Sequence, residues 1–273
     1  MLLGGVVKFA DFVHRVYIGV KENELVDMAN ALTFKLILSV FPTIIFLMSC
    51  VSYFNLDISS YIRVLSLNVP ESVGDIISVF ISEVFDTKKV SLLSSSLLVT
   101  LFSASSGLYT LMKGLNRAYG SEERRGYITQ RFISLLLMLI MAALIVISLY
   151  VCIFSDKINE LLFGISAENS VYAVNLRSYI ITAALIFVMI ILMYMLALVD
   201  RPSVKELIPG TLFTMIGWLV LSKGFNIYIN NFSKYSTVYG SLGAIFIFAL
   251  WLNLLSYALL IGGEINAVLY YKK

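Results

Sequence analysis

The sequence predicts an all-α protein: a polytopic transmembrane bundle with six spans, plus short amphipathic interfacial helices. Three observations predict it. Hydrophobic residues make up 59% of the 273 and charged residues only 14%, against about 45–50% and about 25% in soluble domains. Long charge-free runs recur along the chain, near 36–56, 90–112, 132–155, 178–199, 207–222 and 235–263. These runs are continuous rather than alternating, which excludes the pattern of a membrane barrel.

A spanning helix needs about 20 mainly apolar residues, since about 30 Å of hydrocarbon is crossed at 1.5 Å per residue. Five of the runs meet this directly. The shorter run at 207–222 is extended past Lys223 by Ile227, Tyr228 and Ile229. The expected spans are near 31–54, 90–112, 132–155, 178–199, 207–229 and 238–268, within a single integral membrane domain over 1–273. The length leaves no room for a second sizeable domain.

The first element, 3–24, reads as an amphipathic helix on the cytoplasmic side. Phe9, Val13, Val16, Tyr17 and Val20 share one face, with Lys8, Asp11, Arg15 and Glu22 opposite. It either lies in the membrane interface or packs on the end of the bundle. Between the first two spans, 57–89 is too long for a turn. Ile58, Ile62, Leu65 and Val69 recur at helical spacing. Pro70 then opens a second pattern through Val73, Ile77, Phe80 and Val84. Two short amphipathic helices on the outer face are expected there.

Orientation follows the distribution of Lys and Arg between loops. With the N-terminus inside, twelve fall in inner segments: Lys8, Arg15, Lys21, Lys113, Arg117, Arg124, Arg125, Arg131, Arg201, Lys205, Lys272 and Lys273. Six fall outside: Arg63, Lys88, Lys89, Lys157, Arg177 and Lys234. The bias places both termini in the cytoplasm, with the protein in the plasma membrane. The N-terminus lacks the basic region, apolar core and cleavage site of a signal peptide.

Few residues are equipped for chemistry. In the second span, Ser91, Ser94–Ser96 and Ser103–Gly107 form two small-residue clusters, which favour close helix packing over a polar pathway. In the fifth span, Lys223, Asn226 and Asn230 share one helical face. In the sixth, Asn253, Tyr257 and Glu264 share another, with Ser256 beside them. Polar groups at membrane depth usually face the bundle interior or water. The two stripes therefore make Lys223, Asn226, Asn230, Asn253, Ser256 and Tyr257 candidates for a shared polar interior. Interhelical hydrogen bonding without transport is the plainer reading, and Lys223 has the further option of snorkelling to the interface. Lys35, one turn into the first span, and Glu264, near the inner end of the sixth, form a candidate ion pair.

Enzyme signals are poor. His14 is the single histidine, and one histidine builds no His-rich metal site. No paired carboxylates, nucleophile elbow or phosphate loop appears. Neither catalytic residues, a metal nor a cofactor is expected. Cys50 and Cys152 lie in apolar runs and read as small packing groups. The loop 120–131 mixes Glu122 and Glu123 with its arginines, which suits an inner-leaflet contact better than nucleic acid. The expected partners are membrane lipids, with a lipid or other amphiphile as substrate. The pattern fixes no oligomeric state.

Three stretches carry a family resemblance: ALTFKLILSVFP at 31–42, GLNRAYGSEERRGYI at 114–128, and VYGSLGAIFIFALWLN with GGEINAVL across 238–269. The chain resembles the YihY/virulence factor BrkB family over nearly its whole length. The resemblance implies a six-span inner-membrane protein with its N-terminus inside, linked to envelope integrity and resistance to host killing. Some members are associated with movement of envelope lipids, and some carry a ribonuclease label. It supplies no catalytic residues. The leading expectation is a transporter-like envelope protein. The alternative is a structural membrane protein without a transported substrate, and a membrane-bound hydrolase or nuclease ranks last.

Overall fold

The structure is a computed structural model that describes residues 2–53, 90–153, 171–232 and 236–271. Seven α-helices account for nearly all of them: α1 (Leu2–Glu22), α2 (Leu25–Tyr53), α3 (Val90–Ala118), α4 (Tyr127–Ile153), α5 (Val171–Ala197), α6 (Val204–Phe232) and α7 (Ser236–Tyr270). There is no strand among the described residues. The six helices α2–α7 are each long and apolar enough to cross a membrane, in agreement with the six charge-free runs. The 57–89 segment, expected to form two outer helices, lies outside the described residues, as does the side chain of Phe9.

The chain divides into two compact units, with the division falling inside α2, α3, α6 and α7. The first unit comprises 1–29, 108–219 and 257–273. Its core is formed by Leu25, Ala29, Leu111, Leu115, Leu137, Ile190, Tyr194, Leu207 and Leu260, all nearly inaccessible. Glycine lets these helices approach closely. A Cβ on Gly114 of α3 would lie 2.8 Å from Leu260 of α7, and one on Gly263 would lie 2.2 Å from Leu115. α4 runs alongside α5 in the same unit. The outward faces carry exposed apolar side chains such as Ile128, Phe132 and Ile216, as expected of surfaces solvated by lipid.

The helix ends of this unit are set by readable local chemistry. α3 stops in a Schellman motif: Gly120, at φ 56°, donates to the Arg117 carbonyl, and Ser121 donates to that of Asn116. α6 starts with the Glu half of a capping box. Ser203 N–H donates to the Glu206 carboxylate at 2.8 Å, while Glu206 N–H donates to the Ser203 carbonyl. α1 and α2 are joined through Asn23 and Glu24, and Glu24 takes a left-handed φ of 52°. Its carboxylate pairs with Arg117 in the last turn of α3.

On α1 the polar face carries the Asp11–Arg15 ion pair at 3.1 Å. Val13 and Tyr17 of the apolar face are exposed, Tyr17 at 66%. Gly19 packs on Glu264 of α7, because a Cβ there would fall 1.8 Å from the carboxylate. The helix is therefore docked on one side and leaves an apolar ridge on the other.

The second unit comprises 30–107 and 220–256. Its contacts join α3 to α2, where Gly107 meets Leu32 and Leu36. They also join α6 to α7, where Phe225 stacks on Trp251 at 5.9 Å between centroids. Pro42 lies within α2. Nearby hydroxyls turn back onto backbone carbonyls, Ser39 to Leu36 and Thr43 to Ser39, one way a membrane helix keeps polar groups satisfied around proline.

Candidate functional site

The polar residues of α7 in the second unit meet α2. Asn253 Nδ2 donates to Asn30 Oδ1 at 2.9 Å and to Thr33 Oγ1 at 3.2 Å. Thr33 donates on to Ser256 Oγ at 3.2 Å, and Ser256 donates to the Leu252 carbonyl at 2.8 Å. Thr33 and Ser256 are buried, Asn253 is half-buried and Asn30 is exposed. The chain of bonds thus runs from a dry end to an accessible one. At the accessible end, Asn30 Nδ2 and Asn253 Oδ1 bond to none of the described residues. One donor and one acceptor therefore remain open within the spanning segments.

The other sequence candidates fall as follows. Lys223 is exposed on α6. The side chains of Asn226 and Asn230 lie outside the described residues. Tyr257 is half-buried and belongs to the first unit. Glu264 is 3% exposed, and its carboxylate accepts from Asn23 Nδ2 at 3.0 Å. Lys35 is half-buried on the part of α2 in the second unit; its pairing with Glu264 stays a proposal from the sequence.

Two polar constellations in the first unit were not singled out from the sequence. At the crossing of α6 and α7 a Cβ on Gly210 would lie 1.9 Å from the Gly262 carbonyl oxygen, and one on Gly262 would lie 2.1 Å from Thr214 Oγ1. Only glycine allows this approach. The Tyr194 hydroxyl of α5 donates to the Leu259 carbonyl at 2.7 Å and sits 2.7 Å from Thr214 Oγ1. Asn266 Oδ1 accepts the Gly210 N–H at 2.6 Å. Its Nδ2 is fully buried without a hydrogen-bond partner. A polar residue within a glycine-containing apolar helix is the signal that finds such a crossing.

The second constellation closes the end of α5. Asn116 of α3 donates to the Ala197 carbonyl at 3.1 Å and accepts the Val199 N–H at 2.9 Å. Arg125 Nη2 also reaches the Ala197 carbonyl, at 2.9 Å. A cation there favours the negative end of the helix dipole and satisfies a carbonyl that lacks an intrahelical partner. Glu123 fixes the guanidinium at 2.7 and 2.9 Å. Burial raises the Glu123 pKa, but the hydrogen bonds and charge of Arg125 outweigh it and hold the carboxyl below its ordinary value. Asn116, Glu123 and Arg125 of the 114–128 stretch thus form a helix clasp.

Near it, Tyr119 is fully buried against Tyr270 and Tyr271, and the Tyr271 hydroxyl donates to its carbonyl. Burial, with the Glu206 carboxylate close by, pushes the Tyr119 phenol well above its usual pKa. Among the described residues no group of three or more His, Cys, Asp or Glu side chains could hold a metal ion. A cavity of about 130 Å³ lies between α4 and α5, lined by Leu144, Ile145, Ser148, Leu185, Ile186 and Met189. It is almost wholly apolar and contains none of the candidate residues.

Comparison with known proteins agrees with this architecture. The chain is similar to YfkH of Bacillus subtilis (strain 168), a protein named ribonuclease-like, at 28% identity over 245 residues, 89% of each chain. It is similar to a UPF0761 membrane protein of Histophilus somni (strain 129Pt) at 25% identity, covering 96% of this chain and 90% of the relative. It is also similar to the UPF0761 membrane protein Nmul_A0452 of Nitrosospira multiformis at 24% identity, covering 96% of this chain and 62% of the relative. No solved structure matches. Residues 16–273 match the model of the family described as virulence factor BrkB. With six apolar helices and that match over nearly its whole length, the chain is a multi-pass bacterial membrane protein and belongs to the virulence factor BrkB family.

Proposed function

We propose that this protein moves a lipid or another amphiphile of the cell envelope through the plasma membrane. The observation that carries the reading is the open amide pair, Asn30 Nδ2 and Asn253 Oδ1. An unsatisfied donor and acceptor in hydrocarbon are costly. A passing polar headgroup satisfies both, and its acyl chains stay among the exposed apolar faces. The buried continuation through Thr33 and Ser256 holds the pair in place. The twofold excess of Lys and Arg in the inner segments supports a cytoplasmic place for both termini. Reporters fused after Lys273 and within 119–126 should read cytoplasmic, and one near residue 165 external.

The test is reconstitution into vesicles containing a headgroup-labelled fluorescent phospholipid. Wild-type protein should bring more than the outer-leaflet half of the label within reach of an impermeant quencher. Asn253→Leu should slow this while leaving protein yield intact. Quenching no faster than in protein-free vesicles, across several lipid headgroups, would refute the reading.

One observation favours a second reading, a structural membrane protein without substrate. The α6–α7 crossing is closed by Gly210 and Gly262, with the Tyr194 hydroxyl satisfied inside it, as dry packing demands. The nuclease reading draws on names alone, that of YfkH and the label that some members of the family carry.

A further inference from the structure

The open amide pair of α2 and α7 stands at the head of two exposed apolar stripes. On α2, Phe34, Leu38 and Phe41 follow Asn30 at i+4, i+8 and i+11, which is one helical face. On α7, Leu250 and Phe246 precede Asn253 at i−3 and i−7, again one face. These five side chains are between 48% and 74% exposed, so both stripes are open. As first and sixth of six spans, α2 and α7 cross in opposite directions. The rising numbers of one stripe and the falling numbers of the other therefore lead the same way from the amides. All of these residues belong to the second unit.

What the pair recognises follows from its atoms. Asn30 Nδ2 offers a donor and Asn253 Oδ1 an acceptor. A hydroxyl matches both, since it accepts from the one and donates to the other. A choline headgroup has no donor and its phosphate diester only accepts, so the Asn253 carbonyl stays unmet. The ammonium of ethanolamine does donate. The bonded side chains from Asn30 to Ser256 hold no carboxylate to offset its charge, however, and taking a charge out of water costs far more than taking a hydroxyl.

We propose that the Asn30–Asn253 pair recognises a membrane lipid whose headgroup ends in an uncharged polyol, glycerol or a sugar. One hydroxyl bridges Asn30 Nδ2 and Asn253 Oδ1, and an acyl chain follows Phe34, Leu38 and Phe41. The inference rests on the reading of this pair as the place where a moving headgroup is met, and it names the class of that headgroup. The apolar stripes complement the chain that a free sugar lacks.

The test separates binding from movement. The purified full chain, in a mild detergent free of hydroxyl groups, is titrated with monoglucosyl diacylglycerol, phosphatidylglycerol, phosphatidylcholine and phosphatidylethanolamine. Bound lipid is read by native mass spectrometry. The same four lipids, labelled on an acyl chain, are then followed in reconstituted vesicles. The two polyol lipids should bind about fivefold tighter than phosphatidylcholine, the worth of one neutral hydrogen bond, and should move faster. Asn30→Leu, at an exposed position, should erase that preference. Asn30→Asp replaces the open donor by a charged acceptor and should turn the preference towards phosphatidylethanolamine. Wild-type binding of phosphatidylethanolamine or phosphatidylcholine as tight as that of the polyol lipids would overturn the inference and leave lipid movement standing. So would a polyol preference that survives Asn30→Leu. A polyol preference lost with Asn30→Leu, but without movement of any lipid, would uphold the headgroup class and refute the transport reading instead. Displacement of the bound lipid by free glucose at equal concentration would overturn the lipid as occupant.

Discussion

The two units treat polar groups in opposite ways. In the first, the Tyr194 hydroxyl, Thr214 and the Asn116 amide are spent on backbone groups of neighbouring helices, and glycines at 210, 262 and 263 press those helices together. In the second, the amides of Asn30 and Asn253 bond to each other and still keep one donor and one acceptor open. Polarity mostly closes the structure in the first region, where the unpartnered Asn266 Nδ2 is buried out of reach, and remains accessible in the second. A membrane protein that only needed stability would spend its few polar groups as the first unit does.

The largest expected effect breaks the first region. Gly262→Leu places side-chain atoms where Thr214 and the Tyr194 hydroxyl already lie. Overpacking costs about 1–3 kcal/mol and sometimes more, and the new atoms also displace the Tyr194 hydrogen bonds. Folded yield in mild detergent, read by size-exclusion chromatography, should collapse. Normal yield would mean that the crossing is looser than described.

Next comes the clasp. Asn116→Leu leaves the Val199 N–H and one lone pair of the Ala197 carbonyl without their side-chain partner. Leaving such groups unsatisfied costs about 1–3 kcal/mol, and Arg125 still covers the carbonyl. A clear fall in unfolding temperature is expected, with the membrane-inserted fraction unchanged.

Asn253→Leu should cost far less stability, on the order of 0.6 kcal/mol, the usual worth of a polar interhelical contact in a membrane. Its effect should appear in lipid movement instead. A stability loss as large as that of Asn116→Leu would erase the contrast between the units.

The smallest effect is one of pH. Glu123 is held below its ordinary carboxylate value by Arg125. Its contribution is therefore complete above its unfolded pKa near 4.5 and fades as pH falls through the lower folded value. The unfolding temperature should decline below about pH 4.5, and Glu123→Gln should decline less steeply over that window. Identical profiles would remove Glu123 from the clasp.

The spans were legible because hydrophobic length is a one-dimensional property: six charge-free runs became six long apolar helices. The half capping box at Ser203 and Glu206 and the Schellman turn at Gly120 had signatures in the sequence, and reading them would have fixed two helix ends. The partners of the polar residues were not legible. The sequence groups Asn253 and Ser256 with Lys223, Asn226 and Asn230 of the fifth span as candidates for a shared polar interior, and the hydrogen bonds of Asn253 and Ser256 run to Asn30 and Thr33 of the first. Helical spacing says which residues share a face but not which helix that face meets. Asn116 and Arg125 sat in plain view within the 114–128 stretch. Their role depends on the carbonyl of Ala197, about 80 residues away, and no local pattern shows that.

Thiol reactivity in intact membranes tests the contrast most directly. With Cys50 and Cys152 replaced by serine, single cysteines would be placed at Asn30, Asn253, Thr214 and Asn266. Their labelling by a small water-soluble maleimide would then be timed. Cysteines at 30 and 253 should react readily, and those at 214 and 266 should stay protected until the membrane is dissolved in denaturing detergent. Equal protection at all four positions, or faster labelling at 214 and 266 than at 30 and 253, would contradict the account.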